Sequence, residues 1–223
     1  MAQRLHNKYS PGMCVTISKR HSRLCTQIPG CEQLSTAIES GIANVVQKMA
    51  QKKVAEETRD GFYDLIAFHD SELDNKIRIA ASRSKDYDLE NPSSRTYETI
   101  FPQDTTQIIR TNALQEPAEV MKVVSRIQTL GSSHPLYSQA KILTEAADKV
   151  NEIAAQYLDS INKVGAADAE LQIAKADLIR QYLSNMFEAE KLFGRKMADR
   201  LFPRMVRKSS SEEETENNIQ EED

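Results

Sequence analysis

The sequence predicts an all-α fold: an elongated antiparallel helical bundle of about four main helices with coiled-coil-like packing, between a flexible basic head and an acidic tail. Three observations carry this expectation. Apolar residues recur every three to four positions through four stretches, the period of an amphipathic helix. No tryptophan, 6% aromatic residues and seven glycines in 223 residues argue against a sheet-rich or cleft-rich enzyme. All seven prolines fall outside the periodic stretches or at their ends.

Residues 1–34 read as a basic, loop-rich head, because Pro11-Gly12 and Pro29-Gly30 interrupt any helical pattern. Arg4, Lys8, Lys19, Arg20 and Arg23 against Glu32 give it a charge of +4. Its basic, hydroxyl-rich composition is that of a transit peptide, yet it lacks the required amphipathic helix. No apolar secretion core and no run of membrane-spanning length occurs, so the expected compartment is the cytoplasm.

The bundle domain is expected over 35–208. Thr36 and Glu39 have the spacing of a capping box, so the first long helix is placed at 36–90, ended by Asn91-Pro92. Its stripe runs Ile38, Ile42, Val45, Met49, fades through Gln51, Lys52 and Lys53, and resumes at Phe62, Leu65, Ile66, His69, Leu73, Ile77 and Ala80. A kink at Asp60-Gly61 is the alternative to one continuous helix, since glycine costs about 1 kcal/mol against alanine in a helix interior. Residues 88–116 form a crossover loop, with a short helix over 105–112 opened by Asp104.

Pro117 suits the first turn of a helix at 117–130, where Val120, Val124 and Ile127 share a face and Gly131 closes the run. A third helix at 136–164 carries Leu136, Ala140, Leu143, Ala147, Val150, Ala154, Tyr157 and Ile161. A fourth at 167–202 carries Leu171, Ala174, Leu178, Tyr182, Met186, Ala189, Phe193, Met197 and Leu201. Gly165 separates the last two, and a hairpin there would let each bury its stripe without a second chain.

Catalytic chemistry is not indicated. There is no glycine-rich phosphate loop, nucleophile elbow or zinc-protease motif, so no catalytic residue, cofactor or small-molecule substrate is assigned. Cys14, His21, Cys25 and Cys31 could in principle hold zinc, but ten and five residues separate successive cysteines, and no short knuckle presets two ligands. No metal is assigned, and reduced thiols account for the set. His69 is expected as a satisfied core or boundary histidine.

Function is therefore expected to be contact: a non-enzymatic interaction or scaffold protein, bound to a protein partner or a second copy. The contact residues are whichever apolar positions stay uncovered, because a 14-residue second helix cannot cover a first helix nearly four times longer. Lys196, Arg200, Arg204 and Arg207 add a basic stripe as the candidate binding residues. The alternative is a module binding an anionic membrane or nucleic acid through the head and last helix. Residues 209–223, with seven acids and no base, read as a disordered tail able to screen that stripe.

Overall fold

The computed structural model describes residues 3–202. Among them every regular element is a helix: α1 Pro11–Gln27, α2 Glu32–Glu90, α3 Thr96–Ile100, α4 Thr105–Ile109, α5 Glu116–Thr129, α6 Tyr137–Phe193 and α7 Arg195–Leu201. The acidic stretch 209–223 lies outside the described residues.

The expected loop-rich head contains a full helix. Pro11 stands in the first turn, where its missing N–H has no partner to lose, and Ser10 Oγ accepts from Met13 N at 3.2 Å. The two prolines thus bound α1. Its buried stripe, Cys14, Ile17, Ser18, His21, Ser22 and Cys25, has helical spacing but few aliphatic members, so the sequence pattern concealed it.

Helix α2 starts at Glu32, earlier than the capping box predicts. Thr36 Oγ1 donates back to Glu32 O at 3.2 Å inside the helix, and Glu39 accepts from Ser35 Oγ. The helix runs unbroken through Gly61 and stops at Glu90, before Asn91-Pro92 as expected. Helix α6 likewise runs through Gly165, so the expected hairpin does not form. Both halves of its stripe find a stretch of α2 to pack on, which removes the reason to fold back. The break falls instead at Gly194, whose φ of 75° lies in the left-handed region that favours glycine, and α7 follows as a separate turn.

The chain divides into two compact units, Met1–Lys52 with Ala167–Asp223 and Lys53–Ala166. In the first, Leu34, Ile38 and Val45 of α2 pack with Leu171, Leu178, Tyr182 and Met186 of α6, joined by α1 and α7. The two long helices run antiparallel there. Gly41 lies so close to Leu178 that an added Cβ would sit 3.3 Å from its Cδ1, and Lys48–Glu170 and Lys52–Asp168 pair at 2.6 Å.

In the second unit, Leu73, Ile77 and Ala80 of α2, Leu143, Ala147 and Val150 of α6 and Val120, Val124 and Ile127 of α5 form one core. Ile100, Phe101 and Ile108 from the crossover join it, so the expected loop of 88–116 is folded onto the body. The crossover holds α3, which the periodicity did not reveal, and α4, which ends at Ile109 rather than Asn112. Asp88, near the end of α2, fastens α3: it accepts from Thr96 N and Tyr97 N at 2.8 Å each and from Ser94 Oγ at 2.5 Å.

Candidate interaction surface

The basic stripe is only partly within view. Lys196 and Arg200 are exposed on α7, one turn apart, while Arg204 and Arg207 lie outside the described residues. The opposite face of α7 buries Ala198 and Leu201, and Phe202 stacks on the His21 ring with centroids 4.1 Å apart.

Cys14, Cys25 and Cys31 are all buried in the first unit with His21. Both imidazole nitrogens are engaged: Nδ1 lies 3.1 Å from Leu201 O, and Nε2 lies 3.1 Å from Asn185 Nδ2. Cys25 Sγ packs 3.6 Å from the ring, and burial, with Cys31 nearby, pushes its thiol up to about 12. A thiol held protonated and an imidazole with both nitrogens bonded make a structural cluster. Among the described residues no three histidines, cysteines or carboxylates converge as a metal site.

His69 is a boundary residue whose Nδ1 lies 2.8 Å from Glu72 Oε2. A more unusual titratable group, not singled out by the sequence, is Glu116 at the start of α5. It is fully buried, and burial together with Asp70 and Asp74 of α2 holds its carboxyl far above the ordinary carboxylate range. Asp70 Oδ1, Asp74 Oδ1 and both Glu116 carboxyl oxygens are buried without a hydrogen-bond partner, and a neutral Glu116 supplies the one proton such a group of acceptors can share. Nothing in the sequence spacing marks this group, because Asp70, Asp74 and Glu116 meet only through packing.

Glu116 also marks where cover ends in the second unit. Residues 70–90 of α2 and 137–150 of α6 share a core with α5, whereas 53–69 and 153–166 lack a third helix. On α6, beyond the stripe buried at Ala140, Leu143, Ala147 and Val150, Ile153 and Ser160 are still buried whereas Leu158 and Ile161 are exposed. On α2, Val54, Leu65 and Phe68 fall on one helical face, about 120° round from the face of Ile66, Leu73 and Ile77 that enters the core. Leu65 and Ile161, read from the sequence as stripe residues, are therefore uncovered. With Tyr63, these six side chains are each 41–61% exposed.

Two glycines lie in the same stretch. A Cβ at Gly61, on the face of Val54, Leu65 and Phe68, or at Gly165, one turn beyond Ile161, would meet nothing within 4 Å. Gly41 is explained by the close approach of Leu178; packing within the chain explains neither of these two. No protein-family model, no curated protein and no solved structure matches this chain.

Proposed function

We propose that the chain is a non-enzymatic interaction protein that associates with a second copy of itself through the helix pair 53–69 and 153–166. The observation that carries this reading is the apolar strip on each helix beyond the end of α5. Side chains of this size have about 150–250 Å² of surface each, so the exposed fractions of Val54, Leu65, Phe68, Leu158 and Ile161 leave on the order of 500 Å² uncovered in two strips, Tyr63 lying on the far side of α2. That approaches the roughly 800 Å² per partner of a standard interface. A helix pair that lacks a third and fourth helix is completed most simply by the same pair from another copy, in a coiled-coil-like bundle.

Charge does not oppose this. Lys53, Arg59 and Lys163 stand against Glu56, Glu57, Asp60, Asp64 and Asp159 on these segments, a net of −2 with both signs interspersed. Glycine at Gly61 and Gly165 lets a partner helix approach closely, which would account for two residues that otherwise only weaken their helices.

Sedimentation equilibrium over a wide concentration range tests the reading. The full chain should form dimers, and Leu65→Glu/Phe68→Glu or Leu158→Glu/Ile161→Glu should return it to monomers with an unchanged helical signal, because these side chains do not enter the core. A strictly monomeric native chain with normal helical content would sink the proposal.

A further inference from the structure

A second feature, in the first unit, carries an inference independent of dimerisation. Between α1 and α2 lies a groove of about 440 Å³, with Ile42 and Val46 among its apolar lining residues and Lys19 and Arg23 exposed beside them. Helix α1 carries Lys19, Arg20 and Arg23 and no acid. No ion pair engages Lys19 or Arg23 among the described residues. Glu39 is the one acidic lining residue, and its carboxylate accepts from Ser35 Oγ at 3.2 Å.

We propose that this groove is the docking site of the chain's own acidic segment, residues 212–223, with Ile219 seated against Ile42 and Val46 and the flanking glutamates facing Lys19 and Arg23. Three observations select this occupant. The first is charge: residues 209–223 hold six glutamates and Asp223 with no base, opposite in sign to the exposed face of α1. The second is composition. Ile219 is the only large apolar residue in that segment, and Glu216 and Glu221 lie three residues before it and two after it, one apolar anchor between acids for an apolar groove flanked by cations.

The third is reach. The described chain leaves α7 at Phe202, immediately after Leu201, whose carbonyl accepts from His21 of α1 at 3.1 Å. Lys19 and Arg23 are two positions either side of His21, so the groove lies about one helix diameter, 10–12 Å, from the departure point. The ten residues from 203 to 212 can span up to about 33 Å. Tethering then holds the segment at an effective concentration of millimolar order, which suffices for a contact too weak to form between separate molecules.

The experiment compares methyl spectra of the isoleucine- and valine-labelled full chain with those of a chain cut after Lys208. The Ile42 and Val46 methyls should differ between the two. Lys19→Glu/Arg23→Glu, Ile219→Ser and about 0.5 M salt, where the Debye length is only a few Å, should each return the full chain to the truncated positions. A separate peptide of residues 209–223 should bind the truncated chain about tenfold more weakly once both cations are reversed, the sum of two modest surface pairs turned repulsive. Identical Ile42 and Val46 signals in the two chains would overturn the proposal. So would differences confined to α7 that only Lys196→Glu/Arg200→Glu removes, since the segment would then be screening the last helix instead.

Discussion

Asn185 Nδ2 lies 3.1 Å from His21 Nε2 and donates to it, and this one contact fixes the protonation state of a fully buried imidazole. The amide cannot turn over, because its second N–H donates to Leu34 O at 2.6 Å and its oxygen accepts from Gln181 Nε2 at 3.0 Å. His21 Nε2 is therefore an acceptor, and the ring proton sits on Nδ1, donated to Leu201 O. A second proton would set N–H against N–H. Burial opposes it as well, and this outweighs the Leu201 carbonyl, so the ring's pKa lies below its ordinary 6.5.

It follows that acid destabilises the packing of α1 against α6 and α7. The unfolded chain takes up a proton below about pH 6.5 that the folded chain refuses, so stability is fully present above that value and declines as pH falls, by at most about 1.4 kcal/mol per unit. Urea midpoints measured from pH 7.5 to 5 should fall for the native chain. His21→Gln should be less stable at pH 7.5, having lost ring packing, but should lose much of this acid slope; a slope unchanged by the substitution would reject the assignment.

Glu116 has the opposite sign. Its folded pKa is raised by burial, with Asp70 and Asp74 adding to the effect, so the unfolded chain releases a proton above the ordinary 4.5 that the folded chain retains. Stability from this group is present below pH 4.5 and lost as pH rises toward the folded value. Glu116→Gln keeps the shape, supplies a permanent donor to the aspartates and needs no proton. Its thermal midpoint should exceed that of the native chain at pH 8, by roughly 1 kcal/mol or more in stability, with little difference at pH 4.5.

Gly61→Ala separates folding from association. Open space around Gly61 means that alanine should stabilise the isolated chain by up to about 1 kcal/mol. The same methyl group should weaken self-association if a partner helix packs against this face. Raised thermal stability in dilute solution together with an increased dimer dissociation constant is the expected pair of results.

Asp88 should behave as a tertiary cap. Its partial burial disfavours charge, but hydrogen bonds from Ser94 and from the N–H groups of Tyr97 and Thr96 prevail and hold its carboxyl at about 2. Asp88→Ala should cost about 1–2 kcal/mol, as for loss of a strong helix cap, and should expose amides of α3 to faster hydrogen exchange. The stabilisation is present above pH 3.8 and should disappear as pH falls through about 2.

How much of this was legible beforehand differs by element. Wherever an aliphatic stripe met a proline, as at Glu90 before Asn91-Pro92 or at Pro117 and Gly131 around α5, the sequence alone placed the helix to within a residue or two, because propensity and backbone chemistry act locally. It also foretold that α5 is too short to cover α2. It could not find α1, whose buried face sets only Val15 and Ile17 among cysteine, serine and histidine, residues that become core only when Asn185, Leu201 and Phe202 surround them. Nor could it decide between glycines. Gly165 and Gly194 are alike in sequence, yet one stays helical within α6, and the other adopts a positive φ so that α7 can turn Leu201 onto His21. The aliphatic-striped helices α2, α5 and α6 were determined by local periodicity. Which of their faces lie open, and which carboxyl groups come together, was decided by tertiary packing, since burial and charge proximity arise between segments far apart in the chain.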